Sequence, residues 1–537
     1  RRLVAALPYA HPLHARAALA LLFTATSAQA AIPPAPERDE GEGPYDQLIL
    51  RGVTVINGTG SPAFGPADVV IENNRITEVR IVGSADAPIN AERRPALKPG
   101  GREMDLAGHY LMPGIVDMHG HIGGDEQGVT AEYVYKLWLA HGITSVRDPG
   151  CGNGIDWCVS EQKRSEANTI TAPRIFPYVF FGQGRIGPML TPEHAREWVR
   201  DMKRRGALGM KCFGYRPDIL EAAFDELKKQ GMGSACHHAQ LDVKRVNVLT
   251  TARWGLTTME HWYGLPEALF DGQTVQDYPP GYNYMNEQHR FEQAGRLWAQ
   301  AAEKGSETYE AVMGELLELD FTIDPTFTIY QATRDLMRAR MAEWHEDYTL
   351  PALWDFFRPS RTSHGSFFFD WGSEQEIAWR DNYVRWMAFI NDFKNRGGRV
   401  TVGSDSGYIY KLYGFGTIEE LELLREAGFH PLEVLIAATL NGAEALKADD
   451  RIGSIEPGKL ADLVVLRENP LANLKVLYGT GHIRIDAAGE PERVGGVRYT
   501  IKDGIVFDAA ALLGEVRALV AADKQAKGIE RLKQPGL

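Results

Sequence analysis

The run Asp117-Met118-His119-Gly120-His121 holds two imidazoles spaced i, i+2, which on a strand puts both on one face. Histidine is the commonest side-chain metal ligand, so the pair is a candidate divalent-metal site. Four further residues with chemical capacity close short apolar segments: Lys211 after Ala207-Leu208-Gly209-Met210, His238 after Ser234-Ala235-Cys236-His237, His261 after Thr257-Thr258-Met259-Glu260, and Asp405 after Val400 to Ser404. A lysine ending an apolar strand is desolvated, which lowers its pKa. A neutral amine adds carbon dioxide to give a carbamate, an anion whose two oxygens can bridge two cations. A lone strand-end histidine is more often a core residue than a ligand. Four histidines, one lysine and one aspartate, all at ends of candidate strands, are harder to read that way.

The elements that must position these residues follow from the hydrophobic pattern. Candidate strands are Gly114–His121, Thr144–Arg147, Ile175–Phe180, Gly209–Phe213, Ser234–His238, Thr257–His261, Thr322–Pro325 and Arg399–Ser404, alternating with amphipathic helical stretches. Eight such βα units predict an α/β fold, a distorted (β/α)8 TIM barrel, whose catalytic groups sit at the C-terminal ends of the strands. Short strands separated by turns occupy 46–110 and return after Gly453, so the two ends predict a small composite β-sandwich interrupted by the barrel. The expected division is a signal peptide at 1–30, a flexible leader at 31–45, β-sandwich halves at 46–110 and 451–508, a barrel at 111–450 and a closing helix and tail at 509–537.

The signal-peptide reading rests on Arg1, Arg2, His14 and Arg16 before an apolar run from Ala17 to Ala25, then Ala28-Gln29-Ala30. It predicts an exported protein, periplasmic or secreted, with no membrane insertion in the mature chain. The 537 residues include 58 Lys and Arg against 71 Asp and Glu, a net charge of −13. That balance argues against a nucleic-acid or polybasic membrane-surface protein and says little about a small-molecule substrate, since a local pocket can carry either sign. Cys151 and Cys158, in a Gly-rich loop, are candidates for one local disulfide, whereas Cys212 and Cys236 read as buried free thiols.

The set of motifs resembles the amidohydrolase superfamily of metal-dependent hydrolases. The resemblance is carried by Leu111 to His121, Lys211, Cys236-His237-His238-Ala239, Met259-Glu260-His261, Gly403-Ser404-Asp405-Ser406, Ala437–Ala445 and Gly453 to Leu466. The lysine-bearing strand looks most like the prolidase and imidazolonepropionase-like branch. The resemblance implies that His119 and His121 bind one metal with Asp405 close by, that His238 and His261 bind a second, and that carboxylated Lys211 bridges them. His238 is preferred to His237 because the family's ligand is followed by Ala. Two divalent ions, by default Zn2+, and carbon dioxide for Lys211 are then the cofactors. A hydroxide shared by the metals is the implied nucleophile, with Asp405 as the catalytic proton shuttle.

The implied reaction is hydrolysis of an amide C–N bond, in dipeptides or N-acyl amino acids. The alternatives are cyclic-amide, lactone or ester hydrolysis, deamination at a single metal, and metal retention without turnover. Tyr215 and Arg216, in the loop after Lys211, and Tyr263, two residues past His261, are candidate substrate-binding residues. The segments 265–320 and 331–376 are long for barrel loops. The second is rich in aromatic residues and reads as a lid, as core for the insertion or as a homo-oligomer contact.

Overall fold

The computed structural model describes residues 31–361 and 364–532. The expected signal peptide lies outside the described residues. Eight short parallel strands form one sheet in sequence order: β1 (Ile115–Asp117), β2 (Ile143–Asp148), β3 (Arg174–Phe180), β4 (Gly209–Cys212), β5 (Gly233–Cys236), β6 (Thr258–Glu260), β7 (Thr322–Asp324) and β8 (Arg399–Val400). Each overlaps a segment expected from the sequence, with β2, β3 and β5 starting one residue earlier and β2 ending one residue later. The curl closes past the strand ends, where Met118 N donates to Val402 O at 2.7 Å and Asp405 N to His119 O at 2.7 Å. Both bonds involve the loops that carry His119 and Asp405, so closing the barrel and assembling the site are one event.

Helices cover the outside of the sheet. Pro192–Arg205 shows why they form where they do. Thr191 caps the first turn by accepting from His194 N, Pro192 takes the first position, and Gly206 stops the helix at φ +99°. Ala195, Trp198, Val199 and Met202 recur at i, i+3, i+4 and i+7 and are its buried face.

A second eight-stranded sheet joins the two ends of the chain. Its path runs Ile505–Asp508, Val497–Lys502, Leu463–Leu466, Tyr110–Pro113, Leu48–Val55, Phe64–Glu72 and Arg75–Ile81, with Arg102–Asp105 also on Leu48–Val55. The splice is antiparallel, Leu463 opposite Pro113 and Leu466 opposite Tyr110. A separate apolar core that includes Leu50, Val53, Ile71, Leu463 and Ile501 lies beneath it. Tyr110–Pro113 leads directly into β1, so the sheet anchors the strand that bears His119 and His121.

Two expectations are corrected here. The stretch after residue 31 is docked rather than a flexible leader. Ile32 and Ala35 are buried, Ile32 N donates to Asn153 Oδ1 at 3.2 Å, Ala35 N to Glu161 Oε2 at 3.2 Å, and Trp157 Nε1 to Ile32 O at 2.8 Å. Two apolar side chains with backbone partners on the barrel offset the entropy of ordering this Pro-rich segment. The cysteines pair the other way round. Cys212 and Cys236 stand opposite each other on β4 and β5 and are joined by a disulfide, while Cys151 and Cys158 are buried free thiols. Strand register brings together two residues 24 apart in sequence, which spacing alone does not reveal.

The aromatic segment 331–376 is largely core. Trp354, Phe357, Phe367 and Phe368 are buried, Phe367 stacks on Phe291 of the other insertion with centroids 3.8 Å apart, and Trp344 stacks on Phe415. Among the described residues no helix is long and apolar enough to cross a membrane.

Candidate metal centre

His119 and His121 leave the end of β1 on one face, as their spacing requires. His119 is fully buried, and its Nδ1 donates to Glu260 Oε2 at 2.6 Å. That bond fixes the tautomer and leaves Nε2 as the free ligand atom. Here Nε2 accepts from Lys211 Nζ at 2.8 Å and lies 3.5 Å from Asp405 Oδ1. His121 Nε2 lies 3.3 Å from the same carboxylate oxygen, and its Nδ1 faces Asp148 Oδ1 at 3.7 Å. His261 Nε2 lies 3.6 Å from Asp405 Oδ2, with its Nδ1 donating to Thr326 Oγ1. Three imidazole Nε2 atoms therefore converge on one carboxylate, each with Nδ1 turned to an oxygen behind it.

Alternation along a strand normally sends neighbouring side chains to opposite faces, yet Glu260 and His261 both enter the barrel. The chain leaves β6 with His261 at φ +61°, a left-handed conformation that breaks the alternation. Asp405 at φ +50° and Thr326 at φ +46° lie in the same region. Three left-handed non-glycine residues around one centre are the kind of backbone strain that collects at functional sites.

Burial sets the protonation states. It pulls the Lys211 ammonium below its usual value. Burial and the neighbouring Lys211 take His119 down to about 4, so its imidazole is neutral and able to ligate. Burial works against ionisation of Asp405, but His119, His121 and His261 hold the carboxyl well below the usual range. Glu260 is likewise kept ionised against its burial by Arg147, whose Nη2 donates to both carboxylate oxygens at 2.7 Å, and by His119. Thr258 Oγ1 accepts from Arg147 Nη1 and donates to Glu260 Oε1, each at 2.6 Å. This Arg147–Thr258–Glu260 chain exists to aim His119. Glu260→Gln is expected to lower metal affinity roughly 10–100-fold, read by competition with a chromogenic chelator, while an unchanged affinity would remove Glu260 from the account.

The structure corrects the strand β5 assignment. His238 faces outward, with Nε2 donating to Thr251 Oγ1 at 2.8 Å in helix Val248–Trp254. His237 faces the site, its ring 4.6 Å from that of His261 and 5.3 Å from Tyr263. Register explains the choice. Ala235 pairs with Lys211 on β4 and shares its inward face, so His237, two residues on, points inward and His238 outward. The same parity puts Cys212 and Cys236 together on the outer face.

The three candidate substrate residues part company. Arg216 is largely exposed and donates to Asp218 Oδ2 at 2.7 Å and to Leu190 O at 3.2 Å. Tyr215 donates its hydroxyl to Met189 O at 2.6 Å and packs on Phe181. Both are occupied by the barrel's own loops. Tyr263 is buried against His237 and Tyr330, beside the candidate centre. Residues that the sequence reading missed are Glu260, Arg147, Thr326, Asp148 and Arg290. Glu260 directly precedes His261, but strand alternation argues it away from the site. The others lie far along the chain from the residues they serve.

Residues 385–504 match the Amidohydrolase family. An adenine deaminase of Methanoculleus marisnigri is 36% identical over 180 residues, covering 32% of this chain and 33% of that protein. An imidazolonepropionase of Brevibacillus brevis is 39% identical over 56 residues, 10% of this chain and 13% of that protein. The chain thus spans a third or less of the length of these curated relatives. In three dimensions it resembles a solved Xaa-Pro dipeptidase with methionine bound in its active site, at 17% identity and a TM-score of 0.55, covering 86% of this chain and 100% of that one. The family match covers residues 385–504, and the likeness to the solved dipeptidase extends over the fold of most of the chain.

Proposed function

We propose that the chain hydrolyses amide C–N bonds at a centre holding two divalent metal ions, with dipeptides or N-acyl amino acids as its substrates. The observation that carries the reading is the convergence of His119, His121 and His261 through Nε2 on the ionised Asp405, beside a buried Lys211 whose partner is an imidazole nitrogen rather than a carboxylate. A buried amine with no carboxylate hydrogen-bonded to it among the described residues is a costly arrangement for a purely structural lysine. It suits one that adds carbon dioxide, forming an N–C bond and releasing one proton to give a carbamate.

The donor set fits the metals. His119, His121, His237, His261, the Lys211 carbamate and Asp405 supply imidazole nitrogens and carboxylate oxygens, the set that favours zinc. Divalent ions bound there would acidify water and polarise a carbonyl oxygen. The chain's own residues do the rest. Asp405, ionised in the resting site, accepts a proton from the attacking water and passes it to the leaving nitrogen. Glu260 and Thr326 hold the tautomers of His119 and His261, and the rings of Tyr263, Tyr330 and Tyr408 wall the centre from bulk water.

The test is release of free amine from a panel of dipeptides and N-acyl amino acids by the metal-loaded chain. Turnover of that panel supports the reading, and none across it contradicts it. The match to an adenine deaminase favours a second reading, for which ammonia release from adenine by the same preparation is the discriminating result.

A further inference from the structure

The insertion after β6 brings a cation to the edge of the metal centre. Arg290, on helix Glu287–Ala294, is 7% exposed. Its guanidinium lies among the rings of Tyr263, Tyr284 and Phe291, with centroids 6.0, 5.0 and 5.2 Å from Cζ. Nη2 reaches His237 Nε2 at 3.5 Å, and Nε has no hydrogen-bond partner among the described residues. The nearest carboxylate, Glu287 Oε1, stands 3.6 Å from Nη1, and the other oxygen of Glu287 is held by His364 Nδ1 at 3.2 Å. A guanidinium carries five donors, and here most are unspent in a desolvated, aromatic-walled position. Such a group is costly unless something completes it.

We infer that Arg290 is a specificity-determining residue that binds the α-carboxylate of the leaving amino acid. The inference rests on the amide-hydrolysis reading and narrows its substrates to amides of amino acids with a free carboxylate and an apolar or aromatic side chain. A planar fork matches a carboxylate in two parallel hydrogen bonds. Its position across His237 from His261 places that carboxylate beside the scissile bond, to which an α-amino acid connects it through one carbon. Tyr263, Tyr284 and Phe291 supply the apolar wall.

The test compares N-acetyl-L-phenylalanine with N-acetyl-L-phenylalaninamide, following acetate release, in the metal-loaded wild type, Arg290→Met and Arg290→Lys. In parallel, calorimetry measures binding of phenylalanine and phenylalaninamide to each protein. The wild type is expected to favour the acid, and Arg290→Met to lose roughly 30–100-fold in kcat/KM for the acid, mostly through KM, with little change for the amide. Arg290→Lys, which keeps the charge without the fork, is expected to fall between and controls for folding. Equal losses on acid and amide, or a wild type indifferent to the carboxylate, would overturn the inference. If neither compound is hydrolysed, the dipeptide and N-acyl panel decides the amide-hydrolysis reading, and calorimetry still decides on the pocket: phenylalanine favoured by the wild type and not by Arg290→Met upholds it, and equal binding refutes it.

Discussion

Replacing Asp405 by Asn is expected to lower kcat by roughly 10²–10⁴-fold, the range for a general acid–base group. The change keeps volume and one oxygen, so the contacts of Oδ1 with His119 and His121 can persist. It removes the capacity to take up a proton. Elemental analysis of the variant should find most of the metal retained, because the proposed imidazole and Lys211 ligands are left in place. Loss of turnover with retained metal identifies a proton shuttle. Full activity would show that another group carries the proton.

The second large effect separates two adjacent histidines. His237→Asn is expected to weaken metal binding by more than roughly 100-fold, since losing an outer partner of a ligand alone costs 10–100-fold. His238→Asn should keep the metal. Burial takes His238 down to about 3, its Nδ1 has no hydrogen-bond partner among the described residues, and its Nε2 is spent on Thr251. That residue contributes to packing behind the strand, so its variant should lower Tm while leaving the metal content unchanged. Metal lost from the His238 variant and kept in the His237 variant would restore the assignment made from the residue that follows.

Sequence periodicity located all eight barrel strands because each is a short apolar run bounded by turn residues. The composite sheet was legible for the same reason, from strands that reappear after Gly453. Three features were not. The inward face of β5 depends on its register with β4, a three-dimensional fact that the adjacent pair His237-His238 leaves open. The left-handed turn at His261 cannot be read from residue type, yet it lets Glu260 and His261 share one cavity. The cation beside the centre comes from Arg290, 29 residues past His261 by the numbering, in an insertion whose fold is set by aromatic packing rather than by barrel periodicity. Arg216 has the right residue type in a plausible loop, but Asp218, two residues on, neutralises it.

The most direct test of the central claim is the number of divalent ions per chain, measured by elemental analysis on protein prepared without chelator and with bicarbonate present. The account predicts about two ions per chain in the wild type. It also predicts loss of the pair in Lys211→Met, which can form no carbamate. Wild-type protein with no stoichiometric metal, or a Lys211→Met variant that holds two ions as firmly as the wild type, would contradict it.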